Sequence, residues 1–408
     1  MTVWIDQFSL KNPPEGFIEN PYAFYRELRV RRPVHWLNHN TVFLTRYNDV
    51  VAMYRSSVAS SDKQKEFGDK FGHDSPLYQH HTTSLVFNDP PLHTRVRKLL
   101  IGALQTRSIT TMTEPLTRLV NALIDRMESK RDCDFVRDFA APIPIEVIGN
   151  LLVIPPSDRG PLRQWSLDIL SALEPQPSTG VLEQGNRAVS EFSLFLKDLI
   201  AHRRQHPKRP EEDLLSKLIL GEVNGERLSE HELVHQCIFL LNAGHETTTN
   251  LITNGLVCLL SHRSQWELLC GHIDLVPMTV EECLRYESPL QLNNRLLTEN
   301  VELDSKDASS RPIVLPQGTF LTLGVGAANR DPEVFPEPDQ FDITRKPNHQ
   351  LAFGHGPHAC AGMSVARLEA KIAFESLVKR VPAIELVGSP KRDPRIRFRG
   401  FQQVVVRM

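Results

Sequence analysis

Six cysteines in 408 residues are too few and too scattered to staple a fold. They stand at 133, 237, 258, 270, 283 and 360 without Cys-x-x-Cys or Cys-x-His spacing, so neither a disulfide framework nor a zinc site is expected. Those at 237, 258, 270 and 283 lie in segments of helical periodicity and read as small buried apolar residues. Charge of one sign is lacking too: 47 Lys and Arg against 49 Asp and Glu leave a net charge of −2, which gives no global basic field for nucleic acid. Long apolar runs are missing. The longest, around 251–260, is broken by Thr253 and Asn254 and falls short of the roughly 20 apolar residues of a spanning helix. The first residues carry Asp6, Lys11, Pro13, Pro14 and Glu15 where a signal peptide needs an apolar centre. A soluble, cytoplasmic protein with no membrane or nucleic-acid partner is therefore expected. No Gly/Ser run or like-charge block divides the chain, so 1–408 reads as one unit.

What is there is mostly helix. Residues 33–47 hold two β-rich runs about a polar turn at Asn38-His39-Asn40, a hairpin signal. From about residue 90 helical periodicity dominates, with Leu116, Leu119, Val120, Leu123 and Ile124 on one face and Phe192, Leu194, Phe195, Leu196 and Leu199 on another. Pro-rich and charged stretches at 173–178 and 204–212 read as loops. The longest helix is predicted from Ser229, where Ser229 and Glu232 fit a capping box, to about Ser261. Such a helix spans about 45 Å, and its apolar residues lie on more than one face, so it should cross the interior. A second helix is predicted over Val276–Tyr286, followed by short strands, and a last one from Ala361. Between Arg330 and residue 352 the chain is a long Pro-rich coil, unusual enough inside a domain to require a function. The fold class is mainly α with small β-sheets.

That coil delivers the chain to the most informative segment, Phe353 to Gly362. Glycines at 354, 356 and 362 let the backbone turn and press against a bulky flat object, and Cys360 sits just before a helix, where amide N–H groups and the dipole favour a thiolate. A lone cysteine cannot build a tetrahedral zinc site, but it can be the single axial ligand of a haem iron. The pattern Phe-x-x-Gly-x-x-x-Cys-x-Gly (Phe353, Gly356, Cys360, Gly362) resembles the haem-ligand signature of the cytochrome P450 family. The resemblance implies that Phe353 packs beside the sulfur and the porphyrin, and that His358 reaches a haem propionate.

Other motifs follow in the order this family expects. Glu282 and Arg285 stand at i,i+3 on a helix, with Glu281 almost as eligible a partner at i,i+4; on a solvated face such a pair is worth only about 0.3–0.5 kcal/mol. By position the segment is similar to the family's Glu-x-x-Arg helix, which selects Glu282 and implies a buried structural pair that locks the loop before the cysteine. The third partner there is often an arginine of the Pro-rich coil; here Gln340 stands at that place. Mid-way along the long helix, Ala243-Gly244-His245-Glu246-Thr247-Thr248-Thr249 sacrifices helix propensity, and Gly244 alone costs roughly 1 kcal/mol relative to Ala. A sequence that breaks local rules marks a functional site. His-Glu suggests a zinc hydrolase, but HExxH needs His where Thr249 stands. The stretch resembles the family's oxygen-binding segment, with Gly244 leaving room for dioxygen, Thr247 supplying a hydroxyl and Glu246 relaying protons. A helical Thr more often satisfies its hydroxyl on the i−4 carbonyl. His93 and Arg97, at i,i+4 on a helix after Pro90-Pro91, together with Arg295 and His358, are the implied clamp for two haem propionates.

The resemblance implies a P450 fold with haem b between the long central helix and the helix after the cysteine, and a monooxygenase that inserts one oxygen atom of O2 into a hydrophobic small molecule. Electrons would come indirectly from NAD(P)H, through a separate ferredoxin and ferredoxin reductase, since the haem domain uses the whole length; a monomer is expected. Arg95 or Lys98 would meet the donor's acidic surface. Pocket walls are implied at Phe67–Val86, 167–185, Leu240–Gly244 and Leu290–Leu292. The rival readings are a haem-dependent peroxygenase or isomerase, which would need no reductase, a haem sensor without turnover, and a colourless helical binding protein.

Overall fold

The computed structural model describes residues 3–103, 106–209, 213–223, 226–304 and 312–408. The predicted hairpin forms: Val34–Asn38 (β1) pairs antiparallel with Thr41–Leu44 (β2), Val34 opposite Leu44. Its turn is held by the Asn38 side chain, whose Oδ1 accepts the Asn40 N–H at 2.9 Å. A helix over Tyr47–Arg55 (α1) follows, then the short strand Ala59–Ser60 (β3). Two later strands, Leu292–Leu297 (β4) and Phe320–Gly324 (β5), complete a sheet in the order β1-β2-β5-β4-β3. Strand β5 runs parallel to β2, a pairing that only a long crossover allows, and the helical body of the molecule is that crossover.

The helices that shape the site are Pro76–Thr83 (α2), Leu92–Ala103 (α3), Thr106–Glu128 (α4), Pro142–Leu151 (α5), Thr179–Gln205 (α6), Glu230–Ser261 (α7), Val276–Tyr286 (α8) and Met363–Arg380 (α9). The loop expected at 204–212 begins two residues later, because α6 runs to Gln205; positions 210–212 lie outside the described residues. Helix α7 starts where the sequence predicted it. The Ser229 Oγ accepts the Glu232 N–H at 3.1 Å, and the Glu232 carboxylate accepts the Ser229 N–H at 2.8 Å. Of its 32 residues 22 are buried, which makes it the internal axis of the fold. Leu233 to Leu241 pack into one apolar core with Ile148 of α5 and Phe192 and Leu196 of α6, whereas Leu194, expected on that core face, is 64% exposed because it falls off the helical stripe of its neighbours. Leu251 to Leu259 pack into a second with Leu123 of α4 and Phe374 and Leu377 of α9. Between the two lies a polar stretch, Asn242 to Asn250, buried at most positions. Among the described residues no helix is long and apolar enough to cross a membrane.

Candidate active site

The cysteine loop turns through two left-handed glycines, Gly354 (φ +67) and Gly356 (φ +71), which a side chain would oppose. The Cys360 N–H donates to the Phe353 carbonyl at 2.8 Å, closing the loop on itself. Helix α9 begins at Met363 with Gly362 as its cap, so Cys360 lies just outside the helix that was expected to start at Ala361. Burial pushes the Cys360 thiol up, against the pull of the Gly362 N–H, Arg97 and Arg367. The helix end and amides alone therefore do not make the thiolate; a metal cation on the sulfur would. Phe353 faces the same cavity as Cys360, with the Arg367 guanidinium 4.7 Å from its ring centre.

The choice between Glu281 and Glu282 is settled. Arg285 takes Glu282 through Nε and Nη2, both at 2.7 Å, and places its remaining N–H groups on the carbonyls of Asn329, Pro338 and Gln340. All five donors of the guanidinium are used, with both side chains fully buried. Glu281 instead pairs with Arg367 at 2.6 Å. Gln340 does not complete the network with its side chain, since only its carbonyl takes part. The third cation is Arg345, at 3.3 Å from Glu282, further along the Pro-rich coil, and Asn348 adds a hydrogen bond at 3.1 Å. The coil has its function: its carbonyls and side chains close a buried charge cluster that fixes the approach to Phe353.

On the opposite wall Gly244 and Thr247 line the cavity, but Glu246 does not. The Glu246 carboxylate is turned away, held by Arg395 Nη2 at 2.5 Å and Asn250 Nδ2 at 3.0 Å. Thr247 Oγ1 donates to the Ala243 carbonyl at 2.8 Å, the ordinary fate of a helical Thr; its lone pairs remain to accept from the cavity. A Cβ on Gly244 would come within 2.8 Å of Ile148 Cδ1, so this glycine also lets α5 approach α7. The cavity between the walls measures about 300 Å³. All four predicted wall regions contribute to it, with Leu85, Leu170, Leu240 and Leu290 among their side chains.

Comparison with known proteins decides the family. The profile described as Cytochrome P450 matches residues 166–396. The biotin biosynthesis cytochrome P450 of Bacillus subtilis is 35% identical over 398 residues, 96% of each chain. The chain belongs to the cytochrome P450 family. A steroid C26-monooxygenase of Mycolicibacterium smegmatis is 33% identical over 89% of this P450 and 88% of its own length. The crystal structure of P450BioI, in complex with hexadec-9Z-enoic acid ligated acyl carrier protein, superposes with a TM-score of 0.87 at 34% identity, over 96% of this chain and 99% of that one. The protein is thus a P450 monooxygenase with the P450 fold, of a family that uses haem and O2.

The residues of this P450 fit a haem. Cys360 opens on the cavity, and a Cβ on Gly362 beside it would meet no protein atom, leaving a cradle for a flat ligand. His93 and His358 stack with ring centres 3.9 Å apart; burial holds His358 down to about 3 and lowers His93, whose Nε2 is buried without a partner. Arg97 lines the same wall and makes no hydrogen bond or ion pair with any described residue. Two neutral donors and one uncompensated cation are what incoming carboxylates require. Arg295 is not brought to the wall: it donates to Asn293 Oδ1 and the Asn294 carbonyl, and its guanidinium lies 5.3 Å from the Tyr54 ring centre, so it acts on His93 and His358 through its field. Arg95 pairs with Glu232, which engages it inside the protein, whereas Lys98 is exposed. Sequence reasoning missed Arg345, Arg367 and Arg395, and it placed His80, His81 and Asn242 only within wall regions without singling them out. No local pattern marks them, since Arg395 meets Glu246 across 149 residues.

Proposed function

We propose that residues 1–408 act as a single haem domain, in the cytoplasm, that activates O2 reductively and inserts one oxygen atom into a hydrophobic small molecule by hydroxylation or epoxidation. The observation that carries the reading is a cavity with Cys360 on one wall and the Gly244–Thr247 stretch of α7 on the other. Cys360 Sγ would hold the haem iron, with His93, Arg97 and His358 binding the carboxylates and Arg295 supplying positive potential. When bound, the haem with its thiolate ligand supplies the O–O cleavage and the oxidising equivalent.

The protein's own part is positioning and proton supply. Thr247 Oγ1, anchored on the Ala243 carbonyl, accepts a hydrogen bond from the cavity and fixes where a proton is held. Glu246 brings that proton from outside, which requires its carboxylate to leave Arg395 and turn inward. The leucine-rich walls exclude water, and they agree with the steroid and the acyl chain that the relatives' names record. Electrons from NAD(P)H arrive through a ferredoxin and its reductase, with exposed Lys98 at the docking face, and the protein works as a monomer.

The test is a reduced-plus-CO difference spectrum. A strongly red-shifted Soret band is expected of the wild type and should vanish in Cys360→Ser; a wild type without the band removes the assignment.

A further inference from the structure

Among the polar groups that line the cavity beyond those assigned above, two features differ in kind. One is Arg397, whose guanidinium is already placed on the Leu173 carbonyl (3.0 Å), the Leu292 carbonyl (3.2 Å) and Asn294 Oδ1 (3.0 Å). The other is a set of neutral side chains whose hydrogen-bonding capacity is not used up. His80 and His81 of α2 and Asn242 of α7 are 1%, 2% and 4% exposed and line the cavity. Asn242 Nδ2 and His80 Nε2 lie 3.3 Å apart, while His80 Nδ1, His81 Nε2 and Asn242 Oδ1 are buried with no partner. Leaving such atoms unpaired costs roughly 1–3 kcal/mol each, so their retention in a substrate cavity calls for a ligand group.

We propose that His80, His81 and Asn242 form a neutral polar subsite that takes the hydroxyl group of an otherwise apolar substrate. This rests on the monooxygenase reading given above and names its substrate class. The argument is one of complementarity. If the Asn242 amide donates to His80 Nε2, the neutral ring carries its proton on Nδ1, and the pair leaves Nδ1–H and the second amide hydrogen as donors and Oδ1 as acceptor. If the amide is turned round, Oδ1 accepts from Nε2–H, and the pair leaves the Nδ2 hydrogens as donors and Nδ1 as acceptor. Either way both donor and acceptor capacity remain, and a hydroxyl is the small group that answers both. A carboxylate would find no cation here: burial holds His80 well below its ordinary range and His81 down to about 3, so both rings stay neutral. His235, with its ring centre 5.6 Å from that of His80, is not part of the cavity wall. Asn242 precedes Thr247 by five residues, which separates the anchor from the proton-holding hydroxyl by about 7–8 Å along the helix. The substrate is therefore held at one end and oxidised some distance along its skeleton.

The experiment titrates the haem-loaded protein with 1-decanol, 1-methoxydecane and decanoate, and reads dissociation constants from the Soret shift. In the wild type the alcohol should bind on the order of tenfold more tightly than the ether, which cannot donate. Asn242→Leu and His80→Phe should each bring that ratio to about one, whereas His80→Gln, which keeps a donor and an acceptor, should retain part of it. A wild type that does not bind the alcohol, does not prefer it to the ether, or binds decanoate most tightly overturns the subsite, as does an unchanged ratio in both Asn242→Leu and His80→Phe. The reduced-plus-CO spectrum of the same samples separates the two levels: the red-shifted band without an alcohol preference removes the subsite alone, and a wild type without the band removes the reading beneath it.

Discussion

Beneath the cavity Arg285 uses all five N–H groups on Glu282 and three carbonyls, and Glu282 in turn takes Arg345 and Asn348. Above it His80, His81 and Asn242 keep buried polar atoms without partners, and Glu246 is held facing away by Arg395. The network behind the cysteine loop is closed with one arrangement, while the side built by α2 and α7 holds capacity in reserve. A cysteine proposed to hold a haem iron in one geometry calls for the first kind of surroundings. Selection of a substrate and timed delivery of a proton need the second.

The comparison breaks most severely if the closed side is opened. Glu282→Gln leaves Arg285 and Arg345 buried without a counter-charge and should destabilise the protein by about 3–5 kcal/mol, yielding haem-poor material; the haem-to-protein ratio and a thermal melt check it, and a fully loaded, equally stable variant would show the network to be dispensable. On the other side, Glu246→Gln should leave folding and the CO spectrum intact while lowering turnover about 100-fold, the scale of a lost proton relay; normal product formation would reduce the Arg395 pair to a structural bond. A smaller effect concerns Glu369 on α9, the carboxyl that departs from the closed pattern, with Oε2 unpartnered and burial pushing it up to about 8. The folded protein keeps this proton while the unfolded chain loses it near the ordinary value of 4.5, so its contribution to stability falls as pH rises between 4.5 and 8 and stays low above that. Glu369→Gln should raise the melting temperature by about 2–4 °C at pH 8.5 and by nothing at pH 4.5. Smallest, Lys98→Glu on exposed α3 should raise the apparent KM for ferredoxin by about two- to threefold at low salt, and unchanged kinetics there would place the donor elsewhere.

How much was legible in the sequence follows the same division. Cys360, Phe353, Gly356 and the Glu282–Arg285 pair could be found because each lies in a short segment with a fixed chemical demand. The ends of α7 were legible because Ser229 and Glu232 satisfy each other locally. Arg345 was missed in favour of Gln340 because the coil that carries it has no period, so position along the chain does not reveal which side chain turns inward. His80, His81 and Asn242 were invisible as a group, since two helices far apart in sequence bring them together and no motif ties them. Arg295 was expected at the cavity wall and does not line it, because its guanidinium is held on Asn293 Oδ1 and the Asn294 carbonyl.

The loop that carries Cys360 also rests on a part of the chain made long before it. A Cβ at Gly356 would lie 2.4 Å from the Tyr54 carbonyl oxygen, a backbone atom that cannot swing aside, and Arg55 Nε donates to His355 Nε2 at 2.8 Å across 300 residues. Closure over so many residues is slow to form and is rewarded only once both partners are in place. The shape of the Cys360 loop therefore depends on contacts with α1, so a chain trimmed of its amino-terminal sheet and α1 is expected to take up haem poorly even with every proposed ligand residue present.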